Sequence, residues 1–222
     1  MIRPKSGGPS IFAITEPDQP VARFVCAHGA GAGMETPFLK TISGLLADRK
    51  IATYRFEFSY MAARRETGLR KPPPRAERLV HEYQAAVDRM PASVPILIGG
   101  KSMGGRVASL VADALFQKQR IVGLVCLGYP FHPPKKPEAL RTAHLEHLQC
   151  PALIVQGERD PFGSREEVER LPLSSAIRFH WAGDGDHDLG PRGGSGFTRK
   201  GNLAAVADAV AAFAAELARP RG

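Results

Sequence analysis

Short, nearly unbroken apolar runs alternate along this chain with longer stretches whose apolar positions recur every three or four residues. Ile51–Phe58, Pro95–Gly99, Ile121–Leu127 and Ala152–Gln156 are runs of the first kind. Their apolar, often β-branched character is that of parallel strands buried on both faces. Ser10–Thr15, Arg23–Ala27 and Ala176–Trp181 read as further strands, the last of them weaker. Helical spacing marks Thr36–Asp48, where Pro37 suits the first turn, and Arg75–Arg89, where Leu79, Tyr83 and Val87 (or Ala86) share a face. It returns in Met103–Gln119, with Val107, Leu110, Val111 and Leu115 inward, and in Leu203–Ala218. This alternation predicts an α/β architecture, a mostly parallel central sheet of about six to eight strands with helices on both faces. A length of 222 residues without internal repeats fits one domain spanning 1–222.

Composition narrows the function classes. No run reaches the roughly 18 uninterrupted apolar residues of a membrane span; Leu203–Ala218 is interrupted by Asp208 and Glu216. The first ten residues are polar and rich in Pro and Gly, unlike a secretory leader. Cys26, Cys126 and Cys150 are odd in number and widely spaced, which suits reduced thiols in a cytoplasmic protein and not a disulfide framework. The net charge of +8 comes mostly from scattered arginines, densest between Arg64 and Arg78, with no aromatic-interleaved basic stripe. A solvated basic surface is therefore expected, with neither nucleic acid nor membrane as partner.

The sharpest local signal is Ile96-Leu97-Ile98-Gly99-Gly100-Lys101-Ser102-Met103-Gly104-Gly105-Arg106, an apolar strand meeting a helix through Gly100-x-Ser102-x-Gly104. A serine on so tight a turn projects its hydroxyl from the end of a sheet, and the helix behind it aims N–H groups at developing negative charge. Gly100-Lys101-Ser102 also imitates the end of a phosphate-binding loop, but the first glycine of that motif would fall on Pro95. The glycine-rich His28-Gly29-Ala30-Gly31-Ala32-Gly33 fails as a dinucleotide fingerprint, because the third glycine would fall on Met34 or Thr36.

A serine nucleophile needs a base and a group to orient it, and behind such an elbow they follow in the order acid, then histidine. Asp160 follows the Leu153–Gln156 run, and His187 follows Phe179–Trp181 through Gly183-Asp184-Gly185-Asp186. Both positions lie at the carboxyl edge of the expected sheet, where Ser102 also emerges. Asp160 could instead be a loop-capping aspartate. Asp184, Asp186 and Asp188 crowd His187 and are alternatives for the acid, or for a metal site. His180 is read as strand packing, and His144 and His147 as solvated residues of a helix. Two backbone donors are expected to hold an oxyanion: Met103 N–H, and Ala30 N–H (with Gly31 next) from the loop after Arg23–Ala27.

With these parts in one chain order, the sequence resembles the α/β-hydrolases over nearly its whole length. More narrowly it resembles small bacterial hydrolases of the dienelactone-hydrolase-like group, and the hydrolase-like domain of testis-expressed and chromatin-acetyltransferase-associated proteins. The narrower likeness lies in His28–Ala32, Phe56-x-Phe58-x-Tyr60-Met61, Gly100–Arg106, Gly128-Tyr129-Pro130-Phe131-His132-Pro133-Pro134, Gly157–Phe162 and Gly183–Leu189. The resemblance implies an eight-stranded fold trimmed at the N-terminus, and serine hydrolysis with no metal and no cofactor. Dienelactone hydrolases in the narrow sense carry a cysteine nucleophile where this chain has Ser102, so lactone specificity is not carried over. Some relatives act within complexes, which supplies the rival class of a catalytically silent binding or scaffold module.

The expected substrate is a small ester or thioester. The Tyr129–Cys150 segment is too short for a large cap and, with its four prolines, leaves room only for a modest lid. Ser59–Pro74 is expected to be a loop overhanging the site, bringing Arg64, Arg65, Arg70 and Lys71 toward it. With Gly31, Arg64 and Arg65 are the expected substrate-binding residues, and their charge suggests acidic esters.

Overall fold

The computed structural model describes residues 11–219; the polar 1–10 segment and Ser10 of the first expected strand lie outside them. Seven strands, β1 (Phe12–Thr15), β2 (Ala22–Ala27), β3 (Ile51–Phe56), β4 (Ile96–Lys101), β5 (Gly123–Leu127), β6 (Ala152–Gly157) and β7 (Ile177–Ala182), form one sheet. Their order is β1-β3-β2-β4-β5-β6-β7. Only β1 is antiparallel to its neighbour, pairing Phe12 with Phe56.

The continuous apolar runs are central strands because the sheet is covered on both sides. Alternate residues serve opposite cores: Val25, Ile98, Leu124 and Ile154 face one, while Phe24, Leu97, Val125 and Leu153 face the other. Helices α3 (Val80–Asp88) and α4 (Met103–Gln117) cover the first face; α1 (Pro37–Ala47) and α6 (Arg199–Leu217) cover the second. Tyr83 of α3 ties the sheet from beneath, its hydroxyl 2.7 Å from both Val25 O and the Gly99 N–H that donates to it. Cys26, Cys126 and Cys150 are free and buried. Burial raises all three thiols above their ordinary range, which makes them inert filling.

Strand order creates the site. From β2 the chain crosses by α1 to β3 on one side, then returns to place β4 on the other side of β2. The connections leaving β2 and β4 therefore diverge, and a crevice opens at their carboxyl ends.

Four expectations are corrected. Ser59–Pro74 is not a loop throughout, because Ser59–Thr67 forms a helix, α2. Only Met61 of it is buried, so its pattern carries little helical signal. Its start is held by Glu82, which accepts from Ser59 N–H at 2.6 Å and Ser59 Oγ at 2.8 Å, and Gly68 in the left-handed region (φ 72°) ends it. Helix α6 starts at Arg199, not Leu203, because the Thr198 hydroxyl caps Gly201 N–H at 3.0 Å. His144 lies in a single 3₁₀ turn (Ala143–Leu145), half-buried with Nε2 2.8 Å from Ser109 Oγ; His147 is exposed. The remaining helix, α5 (Arg165–Val168), is one turn closed by a capping box between Ser164 and Glu167. Among the described residues no large cap covers the sheet. Tyr129 and Phe131, at the start of the expected lid, are instead packed into the core. Among the described residues no helix is long and apolar enough to cross a membrane.

Candidate active site

Ser102 stands between β4 and α4 with φ 52° and ψ −117°, a conformation that costs a non-glycine residue on the order of 1–3 kcal/mol. Neighbouring contacts enforce it. Ser102 N–H donates to Leu127 O at 3.0 Å, and the α4 backbone behind it crosses close over the end of β2 at Gly104. A Cβ on Gly104 would sit 2.5 Å from Ala27 O and 2.7 Å from His28 O, so the elbow requires glycine there.

Asp160 and His187 converge on this serine. His187 Nε2 is 2.9 Å from Ser102 Oγ and its Nδ1 is 2.8 Å from Asp160 Oδ2. Both contacts are satisfied by the tautomer with hydrogen on Nδ1, which donates to the carboxylate and leaves Nε2 to accept the serine proton. Asp160 is fully buried, and its oxygens have further donors: Gln156 Nε2 to Oδ2 at 2.9 Å and Phe162 N–H to Oδ1 at 2.8 Å. A buried carboxylate so surrounded is locked in one orientation. The Phe162 ring lies against the imidazole with centroids 4.3 Å apart and supports its other side.

The other aspartates near His187 have separate partners. Asp184 is bound by Arg192 (Nη2 at 2.6 Å, backbone N–H at 2.7 Å) and by Arg159, and the Arg192 bonds hold its carboxyl down to about 2. Asp186 accepts from the N–H groups of Asp188 and Gly190 and so closes the histidine loop. Asp188 pairs with Lys101 at 3.3 Å. Among the described residues, no group of three or more His, Cys, Asp or Glu side chains is arranged to hold a metal ion. His180 is half-buried in β7, as packing requires.

A cleft of about 480 Å³ opens in front of the serine, its lining including Gly29–Ala32, Thr36, Pro37, Phe38, Lys101, Ser102, Phe162, His187, Asp188 and Arg199. Ala30 and Gly31 thus face it, and Met103 begins α4, where a first-turn N–H has no partner within the helix. Arg64 and Arg65 do not line this cleft. They border a neighbouring cavity of about 650 Å³ that shares Gly31, Ala32 and Thr36 with it. Arg64 Nη1 donates to Gly31 O at 2.9 Å, and Arg65 pairs with Glu57 at 3.0 Å.

Lys101, in the variable position of the elbow, is a further residue of the site that its motif alone does not single out. Its ammonium is almost wholly buried, 5.6 Å from the Phe38 ring centroid, and spans from β4 to the histidine loop. Burial lowers its pKa, while Asp188, and more weakly Asp160 and Asp186, oppose the shift. A lysine between a buried strand and a serine is itself a signal, because burial there demands a counter-charge at the strand end. Gln156 could have been suspected likewise, as the polar end of an apolar run.

The assembled architecture is shared by solved proteins of known class. An α/β serine hydrolase homologue from Coxiella burnetii is 21% identical, covers 91% of this chain and 90% of its own, and has a TM-score of 0.64. A dienelactone hydrolase from Anabaena variabilis is 20% identical over 93% and 91%, with a TM-score of 0.64. The esterase domain of a Rhodothermus marinus protein is 18% identical over 92% of both chains, with a TM-score of 0.63. At such identities these likenesses show the fold alone. The family follows from the sequence, since residues 20–215 match the model of the α/β-hydrolase domain. The chain belongs to the α/β-hydrolase family.

Proposed function

We propose that this protein is a serine hydrolase that cleaves a carboxylic ester or thioester of a small substrate through an acyl-enzyme. The observation that carries the proposal is the continuous chain from Ser102 Oγ through His187 to buried Asp160, with contacts of 2.9 and 2.8 Å. His187 Nε2 takes the Ser102 proton as Oγ attacks the carbonyl carbon, then returns it to the leaving alcohol or thiol. Asp160 keeps the ring oriented and offsets the charge of the imidazolium. The N–H groups of Met103 and Ala30 bind the oxygen of the tetrahedral intermediate. Water then repeats the sequence on the acyl-enzyme, with His187 again as base.

The size and lining of the cleft favour a compact acyl group against Phe38, Pro37 and Phe162. The cations bordering it are Lys101 and Arg199, and a preference for acidic esters is assigned to these two in place of Arg64 and Arg65. Lys101 has Asp188 as counter-ion, whereas Arg199 is exposed at the cleft mouth. Arg199→Gln is expected to lower kcat/KM for a hemisuccinate-type ester about two- to fivefold, the size of a screened surface interaction, and to leave the matched neutral ester unchanged. Equal loss on both esters would count against the charge preference. Hydrolysis of short p-nitrophenyl esters and thioesters by the purified protein tests the activity itself; turnover of neither, by folded protein, would overturn the proposal.

A further inference from the structure

The loop that runs along the Ser102 cleft presents three successive carbonyls, and each is taken by a side-chain donor. His28 is fully buried, and its Nε2 accepts Phe58 N–H at 3.1 Å. Nδ1 therefore carries the hydrogen and donates to Gly29 O at 2.7 Å. Burial keeps this imidazole neutral, as both contacts require. The Tyr60 hydroxyl donates to Ala30 O at 3.1 Å, and Arg64 Nη1 donates to Gly31 O at 2.9 Å. In a trans peptide the C=O and the following N–H point in opposite directions. Fixing the carbonyls of residues 29 and 30 thus turns the N–H groups of Ala30 and Gly31 away from His28 and from α2. Holding all three oxygens also keeps their negative ends from rotating toward a developing oxyanion.

Two of the three donors, Tyr60 and Arg64, belong to α2, one helical turn apart on the same face. The His28 ring packs against Phe58 and Tyr60 with centroids 5.3 and 5.8 Å away, so the clamp is a packed unit. We infer that α2 is an oxyanion-loop clamp, with Tyr60 and Arg64 as positioning residues that hold the Ala30–Gly31 backbone in its donating orientation. This rests on the hydrolase proposal above and gives α2 a task that does not involve touching substrate.

Tyr60→Phe, Arg64→Met and the double variant test it on a short neutral ester, with kcat and KM determined separately. Each single change is expected to lower kcat about tenfold or less, and the pair about 30- to 100-fold, below the roughly 10²–10³ of deleting an oxyanion donor outright. KM should stay within about twofold. Arg64→Lys, which keeps a cationic donor at this position, should recover part of the rate, and binding of a boronic acid that mimics the tetrahedral intermediate should weaken in step with kcat. A double variant with unchanged kcat would overturn the clamp while leaving the hydrolase intact. So would a rise in KM alone, which would make Arg64 a substrate contact. Tyr60→Phe removes one hydroxyl from a half-buried ring, so it remains informative if the double variant fails to fold. A wild-type protein without hydrolysis would defeat the parent proposal and the clamp together.

Discussion

Ser102→Ala is expected to lower ester hydrolysis on the order of 10⁶-fold in kcat while the protein stays folded. Within reach of Nε2 the structure places Ser102 Oγ, and the three buried thiols lie elsewhere in the core with their pKa values raised. Residual rate over water then comes from the oxyanion donors and from binding, which the substitution leaves in place. Removing the side chain should not unfold the elbow. The positive φ at position 102 is imposed by Leu127 O on one side and the close passage of Gly104 over Ala27 on the other, not by the hydroxyl. Steady-state kinetics beside a thermal unfolding curve checks both halves, and retention of more than a few per cent of the rate would assign the chemistry to another group.

The second large effect is expected at Asp160→Asn, about 10⁴-fold in kcat, by way of the histidine tautomer. Asp160 accepts from three donors: His187 Nδ1, Gln156 Nε2 and Phe162 N–H. An asparagine there offers one oxygen and one NH₂, so its NH₂ must face at least one of those donors. When that NH₂ takes the place of Oδ2, which faces both His187 Nδ1 and Gln156 Nε2, the imidazole is the partner that can adapt, by moving its hydrogen to Nε2 and accepting at Nδ1. That tautomer cannot take the serine proton. Both variants should still bind substrate, but only this one keeps the hydroxyl and should acylate slowly, so a measurable single-turnover acylation rate distinguishes it from Ser102→Ala. A rate near wild type would mean that another carboxylate orients the ring, and Asp184, Asp186 and Asp188 all have other partners.

Much of this was legible in the chain because the informative features are local or tied to strand ends. The strands β3 to β6 read out as apolar runs because both of their faces are buried, and the elbow is a motif within seven residues. Asp160 and His187 followed from chain order and from their places after β6 and β7. Helix α2 was not legible, because one buried side chain gives no periodicity and its ends depend on Glu82, 23 residues away from Ser59, and on Gly68. Arg64 and Arg65, expected as substrate-binding residues, border the neighbouring cavity and not the cleft in front of Ser102. Direction on a helix cannot be read when the helix itself is not anticipated, and Arg64 is turned to Gly31 O. Lys101 needed two distant facts together, the pleat at the end of β4 and the position of Asp188. Composition gave neither.

Treatment of the wild-type protein with a fluorophosphonate, followed by peptide mass spectrometry, addresses the central claim most directly. The account predicts one phosphonyl group per chain, on the peptide containing Ser102, formed quickly in wild type and not at all in Ser102→Ala. Folded wild-type protein that takes up no label, or that carries it on a residue other than Ser102, would contradict it.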